Sequence, residues 1–182
     1  MTDGQDFQLI ASDPELRADD FAPPLWVPLS RVVRARRRVL TMLDRLPEDW
    51  WEADSACSGW RRRDALAHLL AWDTQHLRSL DAILAGAALD SSTWLPDESK
   101  ATLSQADWDA RSIDEQREAK LATLVGRFEG GLVSLLEHWS SITADQLLRG
   151  YGFAPNALAA VDSHVTHVHG HADDIINGPV FH

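Results

Sequence analysis

An all-α fold, a bundle of four long helices with one long connection between helices 2 and 3, is predicted by three observations. Apolar residues recur at helical spacing in four segments, and proline or glycine stands at most of the breaks between them. No segment of strand length alternates apolar with polar residues. The length, 182 residues, suits one domain that buries a core without staples.

Residues 1–22 are polar and acidic and are expected to form a flexible N-terminal leader, leaving 23–182 as the bundle domain. Pro23, Pro24 and Pro28 precede the first helix. From Leu29 to Leu46, Val32, Val33, Val39, Leu40 and Leu43 line one side with arginines on the other, and Pro47 ends the pattern. Glu48–Gly59 is a connection holding Trp50, Trp51 and Cys57, with Ser58-Gly59 suited to a turn. The second helix is expected from Trp60 to Gly86, with His68 in its first half and Gly86 placed to stop it. Ala87–Ser112 is the least regular stretch, a connection long enough to cover a pocket. The third helix is expected over Ile113–Trp139. Its Gly126, Gly130 and Gly131 each cost up to about 1 kcal/mol against alanine. Ser141–Leu147 reads as a short capped helix. Pro155 starts the last long helix, which runs to about Asn177 with Gly178-Pro179 as its stop.

Charge excludes some partners. Lys and Arg number 17 against 28 Asp and Glu, a formal net charge of −11, so no basic footprint for nucleic acid or an anionic membrane is expected. The arginines at 31, 34, 36, 37 and 38, and those at 61–63, read as solvated helix faces or partners of helix dipoles. Cys57 is the single cysteine, so no intrachain disulfide forms. No charged-then-apolar leader and no bilayer-length apolar run are present, and a cytoplasmic location is the expectation. Eight tryptophans against one tyrosine is an unusual mix, and a few of them are expected to line a pocket.

The chemistry concentrates near the C-terminus. Within Ser163–Ile175 lie four of the eight histidines. On a helix, His164, His167 and His171 share a sector roughly 60° wide, whereas His169 points about 140° from His164. Histidines at i and i+4 on one face clamp a transition metal, but two ligands rarely suffice. The third is sought on a facing helix. His68 shares a stripe with Ala65, Leu69 and Trp72 and should face inward; His76, flanked by Asp73, Gln75, Arg78 and Ser79, reads as surface. Asp64 and Asp174 are placed either to orient imidazoles from behind or to serve surface or cap roles, and Trp60 and Trp72 to line a pocket. Cys57 sits in a loop with no matched acid–base partner. Without a metal, the same histidines would form a buried polar cluster.

The run Gly59-Trp60-Arg61-Arg62-Arg63-Asp64-Ala65-Leu66-Ala67-His68-Leu69-Leu70-Ala71-Trp72 resembles the second-helix signature of the DinB-like superfamily. The closing His167-Val168-His169-Gly170-His171-Ala172-Asp173-Asp174-Ile175 is similar to its fourth-helix pattern. The resemblance covers Leu25–Asn177 and includes mycothiol-dependent maleylpyruvate isomerase N-terminal domains, bacillithiol S-transferases and ClbS/DfsB-type proteins. It implies a facial triad on zinc or nickel formed by His68, His167 and His171, with His164 as a possible extra ligand. Three imidazoles leave a position open for water or for a low-molecular-weight thiol. The expected activity is therefore that of a metal-dependent thiol transferase or isomerase, or a hydrolase, on a small electrophilic substrate. The alternatives are a ClbS/DfsB-type self-protection protein that binds or hydrolyses a small molecule, and a metal-free structural dimer. A homodimer is the oligomeric state that the analogy implies.

Overall fold

The computed structural model describes residues 17–43, 45–87, 104–151 and 154–177. Outside them lie most of the expected leader, residues 88–103 of the long connection, the Gly178-Pro179 stop and His182. Among the described residues the chain is all-helical, with six α-helices and no strand. We number them α1 (Trp26–Leu43), α2 (Glu48–Glu52), α3 (Arg62–Leu84), α4 (Gln105–Asp114), α5 (Leu121–Ser140) and α6 (Ala157–Asn177). The four long ones are α1, α3, α5 and α6. None of the described helices is long and apolar enough to cross a membrane.

Local chemistry explains where the helices begin and end. Two short 3-10 turns, Ala18–Asp20 and Pro23–Leu25, lead into α1, which starts three residues before Leu29. Pro28 is accommodated because the first turn needs no donor from it. The α3 N-terminus is closed by Asp64, whose carboxylate accepts from the Arg61 backbone N–H at 2.9 Å. Beyond the other end Gly86 takes φ +79°, the left-handed conformation that glycine adopts without strain.

The region between α3 and α5 differs from the expectation. Residues 105–114 form helix α4 inside the stretch read as irregular, and Ile113 belongs to α4, so α5 begins only at Leu121. Ser104 and Asp107 make a reciprocal cap there: Ser104 Oγ accepts from the Asp107 N–H at 3.2 Å, and Asp107 accepts from the Ser104 N–H at 3.3 Å. A five-residue helix, α2, also interrupts the 48–59 connection and buries Trp51. Over 141–147, Thr143 and Gln146 exchange hydrogen bonds, but the helix that follows is only the 3-10 turn Gln146–Leu148, whose N-cap Asp145 makes no side-chain cap bond.

The core has two apolar clusters with a polar layer at the level between them. One cluster gathers Leu25, Leu29, Leu80, Trp139, Tyr151 and Val161; the other gathers Val39, Trp51, Leu66, Phe128, Val168 and Ile175. Along each long helix these groups occupy opposite ends. Between them sit Arg36 of α1, Asp73 and His76 of α3, and His164 of α6, all buried. Arg36 Nη1 donates to both Asp73 oxygens at 2.7 and 2.6 Å, Nη2 donates to the Phe128 carbonyl, and the guanidinium lies 3.9 Å above the Phe128 ring. Gly131 makes room for this pair, since a Cβ there would stand 3.0 Å from Asp73 Oδ2.

Two expectations are corrected by this layer. Arg36 is fully buried, while Arg31, Arg37 and Arg38 are exposed, so the first arginine cluster is not one solvated face. His76 is 1 % exposed rather than on the surface. Tyr151 donates its hydroxyl to the His76 carbonyl at 3.1 Å, and the same oxygen lies 3.0 Å from His76 Nδ1, from which it accepts. The neighbours that made His76 look superficial, Asp73, Gln75 and Ser79, are themselves buried.

Candidate metal centre

Helices α3 and α6 pack so that His68, His167 and His171 converge. His68 Nε2 lies 2.9 Å from His167 Nε2. The ring centroids are 5.0 Å apart for His68–His167, 4.8 Å for His68–His171 and 4.7 Å for His167–His171. One potential ligand atom from each falls within 4.8 Å of the other two. His68 is buried and the two α6 histidines are half-buried.

Burial decides the protonation of this trio. It pushes the His68 imidazole down to about 3, with the His171 charge adding to the effect. It pushes His167 down to about 2, again with help from its neighbouring histidines. His171 is also lowered by burial, against the opposing pull of the Asp174 carboxylate. All three rings are thus neutral at neutral pH, the state in which imidazole offers a lone pair. Two nitrogens 2.9 Å apart can both reach an ion that binds nitrogen at about 2.0–2.1 Å. The donor set fits a divalent transition metal.

Behind the ring nitrogens stand carboxylates. His171 Nδ1 is 3.1 Å from Asp174 Oδ2, which fixes Nδ1–H as the donor and leaves Nε2 free. Asp109 Oδ1 of α4 faces His68 Nδ1 at 3.5 Å. His167 Nδ1 is buried without a hydrogen-bond partner among the described residues. Cys57 donates to Asp174 Oδ2 at 3.0 Å, and its sulfur lies 3.6 Å from His171 Nδ1. The α2–α3 loop that carries Cys57 is docked by its Ala56 N–H, 3.3 Å from the Asp174 carbonyl. Cys57, His171 and Asp174 also form a compact donor set, although it competes with the hydrogen bonds they make to one another. Burial, followed by the Asp174 carboxylate, pushes the Cys57 thiol up to about 12. It is a neutral donor.

Tryptophans wall the trio. Trp60 lies 4.9 Å from His68 and stacks on His171 at 5.9 Å, centroid to centroid. Trp72 is 4.9 Å from His167, and Trp108 of α4 is 6.3 Å from His68 and 5.4 Å from Trp72. Trp60 and Trp72, named from the sequence as pocket-lining, stand here against the histidine rings, and neither lines the cavity between α3, α4 and α5. Trp108 and Asp109 are additions, and the Ser104–Asp107 cap was the available sign that a helix would carry them.

Two other expected residues lie elsewhere. Both Asp64 oxygens bind Arg61, Oδ2 to Nε at 3.0 Å and Oδ1 to Nη2 at 2.9 Å, so this carboxylate is spent on the α3 cap rather than on an imidazole. His164 is 2 % exposed in the polar layer, where it stacks on His76 at 4.1 Å with its Nε2 3.7 Å from Asp73 Oδ1.

A family model described as the mycothiol maleylpyruvate isomerase N-terminal domain matches residues 32–176. No curated protein and no solved structure matches the chain. The matched span reaches all four long helices and contains both histidine motifs, so the chain belongs to the mycothiol maleylpyruvate isomerase N-terminal domain family, within the DinB-like superfamily.

Proposed function

We propose that the four long helices form a DinB-like bundle in which His68, His167 and His171 hold a divalent metal, zinc or nickel. The protein then acts on a small electrophile with a low-molecular-weight thiol of the mycothiol type, as a transferase or isomerase. The convergence of three neutral imidazoles from two helices carries this reading. Bound there, the ion supplies Lewis acidity that keeps a small thiol deprotonated near neutral pH.

The chain's own groups prepare the site. Asp174 holds the His171 ring in one tautomer and orientation, and Asp109 stands behind His68. Trp60, Trp72 and Trp108 exclude water and lower the local dielectric, which strengthens charge interactions at the reacting atoms. Cys57 does not supply the nucleophile, because burial and Asp174 keep its proton in place.

The test pairs metal content with thiol chemistry. Untagged wild-type protein is expected to carry near-stoichiometric metal by elemental analysis, and His167→Ala to carry none. Conjugation of a small thiol to a chromogenic electrophile should require the wild-type, metal-loaded protein. A wild type without metal overturns the reading, and metal-dependent consumption of the electrophile without thiol would reassign it as a hydrolase.

A second expectation concerns residues around the trio. Asp174→Ala should weaken metal affinity about 10–100-fold, the usual effect of losing a carboxylate behind a ligating histidine. His164→Ala should leave affinity unchanged, since that ring is stacked on His76. Competition against a chromophoric chelator measures both, and a large loss in His164→Ala would make that residue a ligand.

A further inference from the structure

Next to the histidine trio, and separated from it by Trp108, a cavity of about 690 Å³ opens between α3, α4 and α5. None of the three histidines lines it. A volume of this size accommodates a small molecule. The space exists partly because α5 carries no side chain at position 130, where a Cβ would meet nothing within 4 Å.

The charge lining the cavity runs against that of the chain. Its lining holds Arg78, Arg111 and Arg127 beside the carboxylates of Asp73 and Glu115, in a protein of net charge −11. Both carboxylates are already matched: Asp73 by buried Arg36 at 2.6 Å, and Glu115 by Arg111 at 3.3 Å. Among the described residues Arg127 donates only to the neutral amide oxygen of Gln116. Among the described residues Arg78 has neither an ion-pair nor a hydrogen-bond partner. Two guanidinium charges are thus without a carboxylate partner among the described residues.

Gln75 gives an independent sign of a ligand. It lines the same cavity, is 5 % exposed, and has no hydrogen-bond partner among the described residues. Its amide is not among the enclosed unpaired polar atoms, so it reaches the open space of the cavity, where its donor and acceptor are available to a bound group. Leu70, Leu77 and Trp108 add apolar surface to the same lining.

We propose that this cavity binds a small organic anion with an apolar body, its carboxylate held by Arg78 and Arg127 and a further polar group by Gln75. The apolar part lies against Trp108. The site does not depend on the metal, and its occupant would sit one tryptophan ring from the histidine trio.

Calorimetric titration with 2-naphthoate and its neutral analogue 2-naphthamide, on chelator-treated protein, tests the assignment. Naphthoate should bind with 1:1 stoichiometry and at least 10-fold more tightly than the amide. Arg78→Gln and Arg127→Gln should each remove most of that preference; both side chains lie at the surface and the variants should melt like the wild type. Gly130→Phe should block binding by filling the cavity, and His167→Ala should bind naphthoate like the wild type. Equal affinity for acid and amide, a preference that survives in the double arginine variant, or no saturable binding would overturn the proposal.

Discussion

Asp73→Ala is expected to destabilise the protein by about 3–5 kcal/mol, the cost of stripping the partner from a buried charge. Arg36 has no exposed surface, and its guanidinium would be left with the Phe128 carbonyl and ring alone. Burial raises the Asp73 carboxyl, but the Arg36 charge and His164 more than offset it and hold the group below its usual range. The pair is therefore ionised throughout the neutral range. A loss of this size is a large share of the roughly 5–15 kcal/mol that stabilises an ordinary domain. Urea unfolding monitored by circular dichroism measures it. The double variant Arg36→Met/Asp73→Leu should recover most of the loss, because an apolar pair of similar volume leaves no charge to solvate. If Asp73→Ala changed stability by less than about 1 kcal/mol, the buried pair would not be ordering this layer.

The same layer explains which parts of the fold were legible in the sequence. Helices α1, α3, α5 and α6 each bury an apolar stripe, and such stripes announce themselves at a period of 3.6. Among the described side chains of helix α4, Trp108, Ser112 and Ile113 are the buried ones, too few to mark a stripe. Arg36 and His76 misled for a related reason. A polar residue among polar neighbours looks solvated, yet Asp73, Gln75 and Ser79 are buried because their face of α3 packs on other helices. Hydropathy does not separate a side chain that meets water from one that meets a partner on another helix.

Within the candidate site the helical histidines were legible and the loop groups were not. The i, i+4 spacing put His167 and His171 side by side, and the apolar stripe of α3 turned His68 towards them. His164 shares their face of α6, but three residues of rise move it about 4.5 Å along the axis, into the layer of Asp73 and His76. Cys57 reaches Asp174 across 117 positions of sequence, through a loop docked on the α6 backbone. That pairing follows from loop closure, which no local pattern encodes. It also reverses the sense of the missing partner: Cys57 has one, and it suppresses the thiolate.

Acid should unfold the metal-free protein well before its carboxylates titrate. His68 is held down to about 3 and His167 to about 2, and burial holds His76 well below its ordinary value as well. In the unfolded chain each returns to a pKa of about 6.5. Between those limits the unfolded state binds protons that the native state refuses, so stability rises with pH and falls as the solution is acidified. The contribution is complete above about pH 6.5 and shrinks by up to about 1.4 kcal/mol per imidazole per pH unit below it. From pH 7 to pH 5 this amounts to about 2 kcal/mol for each of His68 and His167, and His76 acts in the same direction. Unfolding midpoints in urea at pH 7, 6 and 5, with a chelator present throughout, would show the decline. A bound ion should steepen it, since protons and metal compete for the same nitrogens of His68 and His167. A chelated protein whose midpoint stayed level from pH 7 to pH 5 would mean that these rings accept protons inside the fold, and the neutral trio on which the metal reading rests would be lost with it.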